Sequence, residues 1–152
     1  MPSSYIGSGI ILTRITDGEL MILLLQGCDS GVWSFPKGHP EQEDSGSTLR
    51  TAVRETFEET GYTCGRDYRI LGDSVRYGKR PYWIGIVNTE KRIRLAHTEH
   101  RTAGWFTIDE INQLNTNTDV RAWMKKANGE NSSFRKSISS ARRLTAPTNS
   151  AT

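Results

Sequence analysis

Cysteine is nearly absent from this chain: Cys28 and Cys64 are the only two in 152 residues, far apart and without any paired spacing. That excludes a disulfide framework and a cysteine-based structural zinc site, and the thiols read as reduced, as in a cytoplasmic protein. Long apolar runs are missing as well. The longest, residues 20–25, has six residues, against roughly 20 for a helix that crosses a bilayer. No segment resembles a signal peptide, so no membrane partner is expected.

Acid is lacking from the end of the chain. Residues 131–152 hold Arg135, Lys136, Arg142 and Arg143 and neither aspartate nor glutamate. Setting those four aside from the 20 basic residues leaves 16 against 17 acidic ones, so the first 130 residues carry about −1. The net charge of +3 therefore belongs to the tail, and net charge implies no general polyanion-binding face on the body.

What is present is an alternation of strands and a few helices. Residues 7–26 contain two apolar runs split by Thr16-Asp17-Gly18, the pattern of a β-hairpin with an Asp-Gly turn. A short strand is expected at residues 32–35 and a polar loop at 39–47. Ser47 or Thr48 caps a helix over residues 48–60. Further strands are expected at 68–72, 74–77, 82–88, 92–96 and 104–106. Thr107 and Glu110 form a capping box that opens a second helix through about residue 114, and a third covers 119–127. The class is α+β, with one domain over residues 1–130. Residues 131–152 lose periodicity and read as a basic, disordered tail.

The helix over residues 48–60 ends in Arg-Glu-Thr-Phe-Glu-Glu-Thr-Gly, residues 54–61. Glu55, Glu58 and Glu59 thus fall in its last two turns, where the carbonyl end of the helix dipole repels anions. Glu55 and Glu59 are also a like-charge pair four residues apart, which costs a few tenths of a kcal/mol. Leu49, Val53, Thr56, Phe57 and Thr60 are expected to pack inward and the glutamates to face a cleft. Three hard oxygen ligands on one face suit Mg²⁺ or Mn²⁺. Spacing alone leaves a solvated acidic face as an equal alternative.

The stretch from Trp33 to Tyr62, WSFPKGHPEQEDSGSTLRTAVRETFEETGY, resembles the signature of the Nudix hydrolases. The matching positions are Gly38, Arg54, Glu55, Glu58, Glu59 and Gly61, with Phe35-Pro36-Lys37 before them and residues 99–105 after. The resemblance covers about residues 5–127. The loop between Gly38 and Arg54 is longer than the family pattern, so Glu41, Glu43 and Asp44 all compete for its acidic position. Thr56 stands where the pattern prefers an aliphatic residue.

The resemblance implies a mixed β-sheet between helices and cleavage of a diphosphate linked to another moiety. It implies Mg²⁺ or Mn²⁺ held by Glu55, Glu58, Glu59 and the Gly38 carbonyl, with Arg54 orienting a carboxylate. Glu99, in His97-Thr98-Glu99-His100, is the candidate for a further metal ligand or the base. His97 and His100 read as supporting residues, and a zinc site of His97, Glu99 and His100 is the weaker alternative. Within the family, LLLQ, WSFPKGH and RLAHTEHRTAGW are most similar to hydrolases of diadenosine tetraphosphate and related dinucleoside polyphosphates. For such a nucleotide substrate Lys37, Lys79 and Arg80 offer cations, and Tyr82 offers an aromatic plane. A strand sends Tyr82 and Trp83 to opposite faces. An RNA 5′ end, a nucleoside triphosphate, a diphosphoinositol phosphate and a non-catalytic binding module are the alternatives. The oligomeric state is left open.

Overall fold

The computed structural model describes residues 6–95, 99–129 and 132–145, the last four of them as backbone only. The expected hairpin is β1 (Ser8–Thr16) and β2 (Glu19–Gly27). Thr16 pairs with Glu19 across a two-residue turn in which Asp17 has φ 51° and Gly18 φ 80°. Positive φ at both positions is the turn whose twist matches the strands.

β3 (Trp33–Ser34) pairs with β2, and β4 (Lys37–Gly38) pairs with β1. β5 (Tyr68–Tyr77) and β6 (Arg80–Val87) form a second antiparallel pair. β7 (His100–Phe106) adds to β2. β6 joins the two hairpins by running parallel to β1, with Ile11 opposite Ile84. The sheet is therefore mixed, in the order β3-β2-β1-β6-β5.

Alternation along the central strands splits the core in two. Ile10, Leu12, Leu23 and Leu25 pack on one face with Ala52 of α1 (Thr48–Thr60). Ile11, Ile22 and Leu24 pack on the other, against α2 (Ile108–Ile111), α3 (Thr118–Ala127) and α4 (Ser133–Thr145). A strand buried on both faces reads as a continuous apolar run, which accounts for the leucines of β2. The sheet thus lies between helices, as the α+β reading expects. No helix among the described residues is long and apolar enough to cross a membrane.

Four expectations need correction. The strands expected at 68–72 and 74–77 are one strand, β5, with a register break between Leu71 and Val75 where Gly72 takes φ 70°. Residues 92–95 form no strand; Arg94 instead donates its backbone N–H to the Thr60 carbonyl at 2.8 Å, closing the end of α1. Residue 96 lies outside the described residues. The second helix stops at Ile111, short of residue 114. The tail is not featureless: α4 buries Phe134, Ile138 and Ala141, and the Phe134 ring meets Trp123 edge-on at 5.2 Å. Those three apolar residues recur at helical spacing among serines and arginines, a stripe too thin to change the local composition.

The inward face of α1 also differs from the expected one. Leu49 is 37 % and Phe57 44 % exposed, whereas Thr51, Ala52, Thr56, Glu59 and Thr60 are buried. Small side chains let the helix lie close to β1, where Ser8 donates its hydroxyl to the Thr48 carbonyl at 2.6 Å. That rotation carries Glu59 inward and leaves Phe57 outside, beneath the Arg94 guanidinium.

Candidate active site

The acidic end of α1 is organised by Arg54. Its Nε donates to Asp44 Oδ1 and its Nη2 to Asp44 Oδ2, each at 3.0 Å. Nη2 also donates to the His39 carbonyl at 2.9 Å. Nη1 donates at 3.2 Å to both Glu55 Oε2 and Glu58 Oε1. The rigid guanidinium fork suits this bidentate hold on one carboxylate. Asp44 is only 2 % exposed and also accepts from the Thr51 hydroxyl at 2.8 Å. The Arg54 hydrogen bond holds its carboxyl well below the usual range, and the same contact holds the guanidinium charged. Of the three competing loop acids, Asp44 is therefore the one the loop builds in. Glu41 lies 3.9 Å from Arg54 with a largely exposed side chain, and Glu43 is exposed.

Gly38 makes room for the Glu55 carboxylate. A Cβ there would lie 2.0 Å from Glu55 Cδ, so only glycine lets that carboxylate rest against the loop backbone. The helix end also receives help that the local sequence does not contain. Gly61 takes φ 81° and donates its N–H to the Phe57 carbonyl, while Lys91 Nζ donates to the Gly61 carbonyl at 2.8 Å. That ammonium offsets the negative end of the helix dipole.

Above this end opens a cleft of about 550 Å³ whose wall includes Lys37, Gly38, Glu55, Glu58, Glu59, Arg80, Glu99 and His100. Glu59 is 4 % exposed and accepts the Lys37 backbone N–H at 3.1 Å. Burial pushes its pKa up to about 8; the Lys37 charge and amide oppose this, and the Glu55 and Glu99 charges add to it. Burial likewise raises Glu55, against the nearby Arg54 charge. Glu58 stays exposed beside Arg54. Ligand atoms of Glu59, Glu99 and His100 all lie within 4.8 Å of one another. His100 is 7 % exposed, and burial lowers its pKa against a partial opposing effect of Glu99. Crowded carboxylates, of which burial makes Glu55 and Glu59 reluctant to ionise, are suited to a divalent cation, which neutralises them on binding. His97 lies outside the described residues.

The four substrate candidates divide. Lys37 and Arg80 line the cleft; Lys79 is exposed and is not in its wall. Tyr82 must be corrected: it is 1 % exposed, stacks edge-on against Phe35 at 5.1 Å, and donates its hydroxyl to Asp119 Oδ2 at 2.5 Å. It packs in one core cluster and Trp83 borders the other, so neither presents a plane to the cleft. Their alternation is as expected, but both faces of β6 are covered by helices.

Asp119 was not singled out from the sequence. It is fully buried in the first turn of α3 and holds three donors: the Tyr82 hydroxyl, Arg80 Nη1 at 2.8 Å and the Lys79 backbone N–H at 3.2 Å. The approach is close, since a Cβ on Gly78 would lie 2.3 Å from Asp119 Oδ1. An acid in the first turn of a helix looks like ordinary dipole compensation, so the sequence carries no signal of this role.

The NUDIX domain model matches residues 6–127 of the chain. The chain is 32 % identical to the asymmetrical bis(5′-nucleosyl)-tetraphosphatase of Sus scrofa over 127 residues, covering 76 % of this chain and 84 % of the relative. For the Rattus norvegicus protein of the same name the identity is 31 %, with the same coverage. Among solved structures, a binary complex of the C. elegans Ap4A hydrolase superposes with a TM-score of 0.68 at 24 % identity, covering 79 % of this chain and 93 % of that one. The NUDIX domain of Shewanella oneidensis NrtR, in complex with ADP ribose, superposes at 0.62 with 17 % identity, covering 80 % and 84 %. At those identities the superpositions speak to the fold.

Proposed function

The chain belongs to the NUDIX family, and from that premise we propose that it is a metal-dependent pyrophosphohydrolase of dinucleoside polyphosphates such as diadenosine tetraphosphate. The observation that carries this reading is the juxtaposition in one cleft of Glu55, Glu59 and Glu99 with Lys37 and Arg80. A phosphate chain accompanied by divalent cations presents both charges at once, and this wall answers both. The similarity to the pig and rat tetraphosphatases supports the substrate.

In the reaction a water oxygen bonds to one phosphorus and the bridging P–O bond breaks, leaving two phosphate-ended nucleotides. Mg²⁺ or Mn²⁺, held by Glu55, Glu58, Glu59, Glu99 and the Gly38 carbonyl, would supply charge neutralisation and a more acidic water. Lys37 and Arg80 bind the phosphate oxygens and fix the chain in the cleft. Arg54 orients Glu55 and Glu58 and does not touch substrate. Glu99, on the exposed rim, takes the proton of the attacking water or completes the metal shell. Residues 1–130 form the catalytic unit, acting on a free nucleotide in the cytoplasm.

A panel of diadenosine tetraphosphate, nucleoside triphosphates, triphosphorylated RNA and capped RNA, each with Mg²⁺ or Mn²⁺ and products identified by mass, tests the reading. ATP plus AMP from diadenosine tetraphosphate is the expected result. Preferential cleavage of RNA ends would replace the substrate, and binding without cleavage of any member would leave a nucleotide-binding module.

A further inference from the structure

We infer that His100 is a nitrogen ligand of the divalent site, which therefore takes a transition ion such as Mn²⁺ in preference to Mg²⁺. This rests on the reading that Glu59 and Glu99 hold a metal ion.

The histidine is placed by two backbone anchors. It pairs with Gly27 just where the register between β2 and β7 shifts, and such irregularities re-aim a side chain. The residue before it is tied in turn: the Cys28 backbone N–H donates to the Glu99 carbonyl at 3.0 Å. The imidazole is then enclosed, 7 % exposed, against the acidic end of the cleft. Among the described residues its Nδ1 is buried and finds no hydrogen-bond partner. Buried ring nitrogens are seldom left that way, and a bound ion is a partner that would relieve it.

The spacing suits one ion. Donors about 2.0–2.2 Å from a shared metal lie at most ~4.4 Å apart. The ligand atoms of Glu59, Glu99 and His100 lie within 4.8 Å of one another, so small side-chain adjustments bring all three onto one centre. Two carboxylate oxygens and an imidazole nitrogen make a mixed donor set. Mg²⁺ favours oxygen and water and gains little from nitrogen. Transition ions gain from it in the order Mn²⁺, Fe²⁺, Co²⁺, Ni²⁺. Glu55 and Glu58 remain all-oxygen, so the preference resides at the end of the site that His100 lines.

The test is pulsed electron paramagnetic resonance on the full chain loaded with Mn²⁺ alone. The expected result is a directly coordinated ¹⁴N coupling that changes to the ¹⁵N pattern when the histidines are labelled. His100→Gln should abolish that coupling and weaken Mn²⁺ binding about tenfold or more, the scale of losses around metal ligands, while Mg²⁺ affinity stays within a few-fold. His39→Gln, at the other histidine in the cleft wall, should change neither. Tight Mn²⁺ binding without nitrogen coupling in the unsubstituted chain would overturn the role of His100 alone. So would a coupling that survives His100→Gln. No Mn²⁺ binding at all would overturn the metal reading with it. Where His100→Gln fails to fold, the labelled, unsubstituted chain still overturns the role if it shows no nitrogen coupling, and a coupling that persists in His39→Gln excludes the other histidine of the cleft wall.

Discussion

Arg54 grips Asp44 through both arms of its guanidinium, Nε to Oδ1 and Nη2 to Oδ2 at 3.0 Å each, with the carboxylate almost wholly enclosed. The pair fixes the loop after Gly38 to the helix that bears Glu55 and Glu58. Asp44→Asn should therefore cost about 3 kcal/mol in urea unfolding, the lower end for breaking a buried ion pair. It should also reduce turnover, because Arg54 is released from its seat beside the carboxylates. Since the folded carboxyl is held below its unfolded range, its contribution is present above about pH 4 and is lost as pH falls into the acid range. The variant should lack that acid-side loss, which a pH series of unfolding curves would reveal.

Glu59 has the opposite sign. Its pKa is pushed from 4.5 to about 8, so without metal its contribution to stability is fully present below about pH 4.5 and is lost as pH rises through about 8. Glu59→Gln should be the more stable protein at pH 9 in chelator, and should lose turnover by about 100-fold or more, beyond the scale seen for residues behind a metal ligand. Metal binding at pH 7 to the unsubstituted chain should release close to one proton from this group. Calorimetry in two buffers of different ionisation enthalpy reads that number directly.

Asp119 is not itself part of the cleft wall, yet it holds Arg80 there. Asp119→Asn should raise KM for diadenosine tetraphosphate about tenfold, the worth of a charged hydrogen bond to substrate, with a smaller change in kcat. In an Arg80→Ala background the same substitution should no longer affect KM. Tyr82→Phe removes another of the donors to Asp119, and should lower Tm without altering KM. Equal KM effects of Asp119→Asn in both backgrounds would remove Arg80 from the explanation.

α4 supports the core, and none of its described residues lies in the cleft wall. Phe134→Ala should cost about 3–4 kcal/mol, as for other buried phenylalanines, because Trp123 loses its edge-on partner. Deleting residues 131–152 should lower Tm in the same way while small-nucleotide hydrolysis at low temperature persists. A calorimetric scan beside an assay at 20 °C separates the two.

The parts of this protein that were legible in its sequence are those governed by local chemistry. The Asp17-Gly18 turn, the Ser47 cap and Gly61 end of α1 and the Thr107–Glu110 capping box each follow from a few adjacent residues, and all are found where expected. The ordered match from Gly38 to Gly61 placed the carboxylates on one helix. What escaped depends on neighbours distant in the chain. Which of Glu41, Glu43 and Asp44 fills the loop position is decided by a guanidinium ten residues beyond Asp44. Tyr82 is buried rather than presented because α3 and α4 cover that face of the sheet. The rotation of α1 that buries Glu59 and exposes Phe57 is set by close packing on β1, and apolar periodicity alone would turn the helix the other way.

The parallel seam between β1 and β6 has a consequence for biogenesis. The first strand of the sheet in chain order sits mid-sheet, and its Thr13 hydroxyl awaits the Gly85 carbonyl at 3.0 Å, a partner synthesised 72 residues later. Until then a row of amides on an apolar strand stays open to any other chain, as unprotected edges do. Translation halted before residue 80 should thus yield an insoluble fragment, and a chaperone that shields nascent chains should matter most in that interval.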